Sequence, residues 1–292
     1  MIINQSNLKT LFTAYKAAFN RGFRDVDAYW SKVATLVPSS TGTEEYGWLG
    51  QFPKLREWIG DRHIKNMAAH GYSIRNKPFE STVGVPRDNI EDDAYGVFTP
   101  LMEEMGYAAK THPDELIFAL LAAGFTTPCY DGQYFFDTDH PVGDGTVSNM
   151  QAGAESPWFL LDVRRPLKPL IFQRRRDYNF ESMTDGKDEQ VFMRNEYRYG
   201  VDARVNVGFG FWQQAFGSKA TLDAANYKAA RQAVLGFRGD EGRPLGTNPN
   251  LLVCGPSNEG AAKELLQAER NASGATNIYR NTAELLVVPW LD

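Results

Sequence analysis

The chain has little cysteine, little histidine and no long apolar run, and each shortage removes a class of function. Its two cysteines, Cys129 and Cys254, stand far apart. They form neither a zinc-type CxxC pair nor a disulfide framework, so a reduced, cytoplasmic setting for synthesis is expected. The four histidines (His63, His70, His112, His140) are dispersed, three of them beside Gly or Pro, and no HExxH occurs. No stretch approaches the roughly 20 apolar residues of a bilayer span. The opening "MIINQSNLKTLF" lacks the apolar centre of a secretion signal, so no membrane partner is expected. Positive charge is also short. A net charge of -5 argues against a dedicated nucleic-acid binder, which carries a basic excess. There is no GxGxxG, no Walker lysine, no local signature of a nucleophilic triad, and no internal repeat.

What is present is aromatic and strongly periodic. Leu8, Leu11, Phe12, Tyr15 and Phe19 recur at helical steps, with Ser6 or Asn7 as the expected cap and Gly22 as the expected stop. Residues 46–60, "YGWLGQFPKLREWIG", set two Trp, a Phe and a Tyr among three Gly and a Pro. Such a segment buries little against itself, and its aromatics suit anchoring on the chain's own body or on a neighbour. Residues 62–88 read as an extended hairpin, with "YSIRN" and "FESTVGV" as strands too poor in large apolar groups to stand alone. A helix is expected over 95–123, led by acidic "RDNIEDD" and kinked or restarted at Pro113. From Trp158 to Gly217 the pattern turns to aromatic and branched strands, followed by helix, strand, helix and strand to the end. The whole is an α+β chain.

The densest chemistry lies in "CYDGQYFFDTDHP", residues 129–141. A metal-dependent hydrolase would use Asp137, Asp139 and His140 there, because carboxylate and imidazole ligate zinc or manganese. Against this, adjacent residues in an extended segment point to opposite sides. A turn at Asp131–Gly132, two Phe docked in the core and an Asp-His-Pro stop explain the same letters. "RRRD" at 174–177 alternates its arginines across a strand, which favours ion pairing over a phosphate-binding stripe. "GFGF" at 208–211 marks close backbone approach rather than a phosphate loop. The start of "SNEGAAKELL" offers a conceivable but generic nucleotide site.

Taken together, "YGWLGQFPKLREWIGDR", "AHGYSIRNKPFESTVGVPRDNIEDD", "PDELIFALLAAGF", "PCYDGQYFFDTDHP" and "NEYRYGVDAR…GFGFW" resemble the major head subunits of Mu-like tailed phages. The resemblance covers nearly the whole chain. It implies a Hong Kong 97-type capsid fold: an N-terminal arm (1–45), an extended E-loop (46–84), a peripheral domain (85–217) with a spine helix at 95–123, and an axial domain (218–292). It implies a structural protein of the virion, assembled in the host bacterial cytoplasm, with no catalytic, cofactor or metal residues. The expected partners are further copies in hexamers and pentamers, a separate scaffolding protein, a portal, decoration or minor capsid proteins, and packaged DNA touched without specificity. Trp48, Phe52, Trp58, His70, Tyr72, Lys77 and Phe79 are the expected inter-subunit contacts. Only about 40 residues precede the E-loop, too few for a fused scaffolding segment. Lys65 and Lys77 have no identifiable catalytic carboxylate to cross-link them, so locking is expected to be non-covalent.

Overall fold

The computed structural model describes residues 2–49, 71–92, 94–185, 188–239, 242–271 and 273–292. The chain opens with α1 (Gln5–Arg24), α2 (Trp30–Val33), β1 (Ala34–Pro38), β2 (Thr43–Glu45), β3 (Ser73–Arg75), β4 (Lys77–Pro86) and α3 (Arg87–Glu91). Next come α4 (Thr99–Ala122), β5 (His140–Val142), β6 (Gly145–Val147), β7 (Met150–Gln151) and β8 (Trp158–Leu161). Then follow β9 (Leu170–Met183), α5 (Glu189–Arg194), β10 (Glu196–Phe209), β11 (Ala215–Ser218), α6 (Ala224–Leu235), β12 (Leu251–Cys254), α7 (Glu259–Gln267) and β13 (Glu284–Val287).

Helix α1 starts earlier than its periodicity suggests. Asn4 caps it, its side-chain oxygen accepting from the Asn7 N–H at 2.8 Å, and neither Ser6 nor Asn7 takes that role. Gly22 does not end it. That glycine is buried on the face turned to α4, where a Cβ would lie 1.9 Å from the Glu103 carbonyl oxygen. Gly106 answers from α4, its Cβ position 2.1 Å from the Phe19 carbonyl oxygen. Two glycines thus let two backbones touch, which any side chain would forbid.

Pro113 does not break the long helix: α4 runs unbroken from Thr99 to Ala122, with 3₁₀ turns at Ala94–Phe98 and Ala123–Phe125. At about 1.5 Å per residue it spans roughly 36 Å. The proline is buried, and beside it the Asp114 carboxylate accepts from the backbone N–H groups of Tyr29 (2.9 Å) and Trp30 (2.5 Å). The start of α2 is thereby clamped to the middle of α4.

Two sheets flank this helix. The four-stranded one has the order β1-β9-β10-β4 and is built on the long β9–β10 pair. Strand β10 alternates partly and fully buried residues along its first ten positions, as a period-2 strand between core and solvent must. The expected 62–88 hairpin is not closed on itself: β3 pairs with β2, whereas β4 pairs with β10 from Pro86↔Glu196 to Lys77↔Val205. The five-stranded sheet, β13-β12-β8-β11-β7, joins β8 and β11 to the C-terminal strands, so pairing crosses the boundary expected near residue 217.

The core has two parts. A large cluster gathers the five-stranded sheet, α6, α7 and the second half of α4. A smaller one gathers α1, the first half of α4 and the far ends of β4, β9 and β10. No helix among the described residues is long and apolar enough to cross a membrane.

Candidate functional site

The segment after α4 folds into a tight, inward-facing knot. Gly132 takes φ +90° at the Asp131–Gly132 turn, a conformation that favours glycine. The turn is closed by the Gly132 N–H donating to the Cys129 carbonyl at 3.2 Å and the Cys129 N–H to the Gln133 carbonyl at 2.8 Å. Phe135 and Phe136 are fully buried. Phe135 stacks on Phe209 with ring centroids 4.3 Å apart, and Phe136 lies against Phe125 and Phe159. Its ring fills the space that Cβ atoms at Gly124 and Gly217 would need, at 2.8 and 2.7 Å. These two glycines accommodate one phenylalanine.

His140, wholly buried, turns away from its neighbour Asp139 and into the knot. Its Nδ1 meets the Asp131 carboxylate at 2.7 Å and its Nε2 faces the Asn149 side-chain oxygen at 3.2 Å. The ring stacks on Trp212, centroids 4.0 Å apart and planes 12° from parallel. Asn149 is oriented by its other bonds: its Nδ2 donates to the Phe135 carbonyl at 2.8 Å, and its Oδ1 accepts the Asp137 N–H at 2.9 Å. The Cys129 thiol donates to Asp131 at 3.1 Å.

Burial pushes the Asp131 carboxyl upward, but the bonds from His140 and Cys129 and the charge of His140 outweigh it. The group is held below its usual range. Burial and the adjacent Asp131 carboxylate push the Cys129 thiol far up. Burial does the same to Cys254, whose thiol rises to about 12. Neither cysteine is a nucleophile at neutral pH, since the thiolate is the reactive form. The native subunit is therefore expected to leave both thiols unmodified by a disulfide exchange reagent and to release both on denaturation. Fast labelling of the folded protein would contradict this.

Sγ of Cys129, a carboxylate oxygen of Asp131 and a ring nitrogen of His140 do lie within 4.8 Å of one another, the only such metal-ligand group found among the described residues. They are already bonded to each other, and the second ring nitrogen is spent on Asn149. A closed structural zinc site uses four protein ligands. The knot behaves chemically as a satisfied, buried polar network, the arrangement that fixes a unique core.

The hydrolase constellation does not form. Asp137 spends its carboxylate on the backbone N–H groups of Tyr134 (3.2 Å) and Thr138 (2.7 Å), and Asp139 is exposed. Only His140 of the three enters the knot. Asn149 and Trp212, which complete it, carried no sequence signal beyond Trp212 sitting in an aromatic run.

The other candidates resolve similarly. Arg174 pairs with Asp177, Arg176 with Asp202, and Arg175 donates to the Ser39 carbonyl. Gly208 lies where a Cβ would meet Ile74 at 2.2 Å. The helix start at α7 is occupied by the chain's own Asp292, whose carboxylate accepts from the Ser257 N–H at 2.6 Å.

Among the expected inter-subunit residues, Phe52, Trp58 and His70 lie outside the described residues, as does Lys65. Lys77 is exposed. Trp48, Tyr72 and Phe79 are half-buried against their own chain. Trp48 packs on Tyr46 and Phe211, and the Tyr72 hydroxyl accepts the Phe209 N–H at 2.7 Å. Phe79 meets the His112 ring edge-on at 4.4 Å. The two ends of the 46–72 stretch share one root, where Thr43↔Arg75, Glu44↔Ile74 and Glu45↔Ser73 pair antiparallel. Buried bonds from Tyr46 to Gln173 (2.7 Å), Gln173 to Asn76 (2.9 Å) and Asn76 to Ser39 (2.7 Å) brace it. Glu44 accepts from the Thr41 N–H, the Ser39 hydroxyl and the Ser40 N–H, which pull its carboxyl down to about 2.

Comparison with known proteins agrees with this picture of a structural rather than a catalytic molecule. The family model described as Mu-like prophage major head subunit gpT matches residues 8–291. The chain is 43% identical to the major capsid protein of Escherichia phage Mu over the full length of both. It is 46% identical to the Mu-like prophage FluMu major head subunit of Haemophilus influenzae, over 91% of this chain and 90% of that one. Among solved structures it superposes on the procapsid of bacteriophage JBD30 with a TM-score of 0.88 at 51% identity, covering 99% of this chain and 100% of the other. The bacteriophage JBD30 capsid matches with a TM-score of 0.82 at 37% identity, covering both chains completely. With the Hong Kong 97-type α+β fold in place and the hydrolase constellation absent, the chain belongs to the family of Mu-like major head subunits, structural proteins that form the phage head shell.

Proposed function

We propose that this major head subunit assembles into hexamers and pentamers that close around packaged double-stranded DNA, with the 46–72 part of the expected 46–84 E-loop lying across a neighbouring copy while 77–84 stays paired with β10 of its own sheet. The observation that carries this reading is the braced two-stranded root at β2 and β3. It joins the two ends of a stretch whose sequence sets aromatics, Phe52 and Trp58 among them, between glycines and a proline. A neighbour supplies the missing surface, at roughly 1.5–3 kcal/mol for each large side chain buried. Many copies in a closed shell then multiply modest contacts into a stable whole. On this reading Phe52, Trp58, His70 and Lys77 face the neighbour, whereas Trp48, Tyr72 and Phe79 anchor the ends of the arm to their own subunit. The segment 1–45 is the N-terminal arm, which lends β1 to the four-stranded sheet; that sheet with α4 is the peripheral domain, and the five-stranded sheet with α6 and α7 is the axial domain. A separate scaffolding protein, a portal and minor capsid proteins complete the head. Contact with DNA is non-specific, in keeping with the net charge of -5.

The test is a pair of alanine variants followed by negative-stain microscopy and by circular dichroism of the unassembled subunit. Trp58→Ala is expected to abolish shells and leave subunit stability unchanged. Trp48→Ala is expected to lower subunit stability by roughly 1.5–3 kcal/mol, because it strips a half-buried ring from its own core. Normal shells from Trp58→Ala would sink the arm's proposed role.

A further inference from the structure

Pro113 is a weak point inside α4. It has no N–H to give the Ala109 carbonyl four residues back, so the helix lacks one of its regular bonds there. A helix bends at such a position once the contacts around it let go. The residues on either side of the proline make those contacts. His112, half-buried, meets the four-stranded sheet: its Nδ1 lies 2.6 Å from the Tyr178 hydroxyl of β9, and Phe79 of β4 stands edge-on to its ring. Asp114 is wholly buried and holds the start of α2 through the Tyr29 and Trp30 N–H groups. Two residues along a helix turn it by about 200°, so the two side chains fasten opposite faces of α4 to different elements.

We infer that His112 is an acid-released latch between α4 and the four-stranded sheet, with Pro113 as the joint and the Asp114 clamp as the fixed point, a property of the subunit that does not depend on how copies meet. Neutral imidazole suits the latch. Burial pushes the Tyr178 hydroxyl far up, so it keeps its proton and either partner can donate. An imidazolium must donate, and it brings a full charge into a site walled by Phe79 and Tyr178. The charges nearby do not offset that cost. Burial holds the His112 ring below its usual value, and Glu115, one turn on, opposes this by less. Lys110, on the same helix, lies over Phe23 of α1, and behind Tyr178 on β9 Asp177 is paired with Arg174. The buried face of β10 (Val201, Ala203, Val205) and Trp290 beside Phe118 carry no charge. The folded chain therefore binds this proton less readily than the unfolded one. The latch is complete above the usual histidine value of 6.5 and weakens as pH falls through the folded value. Asp114 behaves oppositely. Burial pushes its carboxyl up, so the folded site takes a proton more readily than the unfolded chain does, and acid does not open that clamp. Mild acid frees one face of α4 and spares the other, and the proline sets where the helix gives.

The experiment is hydrogen exchange on the full-length unassembled subunit at about pH 7.5 and about pH 5.5, with the intrinsic exchange rates divided out. Protection over 107–118 in α4 and 174–182 in β9 is expected to fall about threefold or more at the lower pH, while α6 keeps its own. His112→Gln can bond Tyr178 but cannot titrate. It is expected to match the wild type at the higher pH and to lose no protection at the lower one. His112→Phe, which keeps a ring against Phe79 without titrating, carries the same absence of pH dependence should the glutamine not be accommodated. Equal wild-type protection at the two pH values would overturn the inference. So would a loss shared equally by α6, which is global unfolding, or a loss of wild-type size in the two variants.

Discussion

Asp131→Ala is expected to cost the folded subunit about 3 kcal/mol, since a buried hydrogen-bonding group left without its partner costs about 1–3 kcal/mol. The substitution strands two groups at once. His140 loses the carboxylate on Nδ1 in a site with no solvent access, and the Cys129 thiol loses its acceptor. Asp139→Ala, eight residues on and exposed, is expected to stay within about 0.5 kcal/mol of wild type. Urea titration of the unassembled subunit measures both, and the fluorescence of Trp212, stacked on His140, reports locally. Equal costs for the two variants would show that the knot is not the structural element described here.

The same carboxylate sets an acid limit. Its pKa in the folded chain lies below the usual value of about 3.9, so the folded state binds this proton less readily than the unfolded chain. The stability it contributes is complete above the unfolded pKa and is lost as pH falls through the folded one. Asp131→Asn, unable to titrate, is expected to show a flatter dependence of stability on pH below about 4 than the wild type does. An unchanged slope would count against the pairing.

The second large effect is expected at the helix crossing. Gly106→Val places new atoms where even a Cβ would sit 2.1 Å from the Phe19 carbonyl oxygen and 2.9 Å from the Phe23 nitrogen. Both obstacles are backbone, so no side-chain rotation relieves them and α1 must lift away from α4. Overpacking of this kind costs about 1–3 kcal/mol and sometimes more. Here the upper end, about 3 kcal/mol, is expected, because lifting α1 opens the smaller core where Tyr15 and Phe19 pack on Tyr199 and Phe180. Gly260→Ala in α7 is the control. Nothing lies within 4 Å of its Cβ position, and alanine in place of glycine in a helix adds up to about 1 kcal/mol of stability. Opposite signs in the two urea midpoints are the expected result; a neutral Gly106→Val would mean the helices are not in contact there.

How far the sequence reached differs from element to element. The spacing of Leu8, Leu11, Tyr15 and Phe19 foretold α1, and the branched and aromatic runs foretold β8 to β11, because periodicity reflects only which face a residue presents. Gly22 misled because a glycine reads as a helix stop when its neighbour across space is unknown. Pro113 misled for the same reason: the next residue, Asp114, accepts from the backbone N–H groups of Tyr29 and Trp30, and those come from far along the chain. In "CYDGQYFFDTDHP", the Asp-Gly turn and the docked phenylalanines were legible, as was the opposed direction of Asp139 and His140. Which residues await His140 was not, since Asn149 and Trp212 arrive from a later loop and another strand's end.

The sequence by itself determined the family, the helices α1, α4, α6 and α7 with the strand-rich run from Trp158 to Gly217, and the absence of a recognisable catalytic motif, since these depend on local pattern and on long unusual blocks; α2, β1 and β2 fall where composition reads as a loop. Tertiary structure alone decided that β8 joins the C-terminal sheet and that β3 leaves β4 for β2. It also decided that two glycines form a helix crossing and that a hydrolase-like string of letters closes into a buried structural knot. Those outcomes depend on which distant segments meet, and a period of two or 3.6 residues carries no information about the partner across the gap.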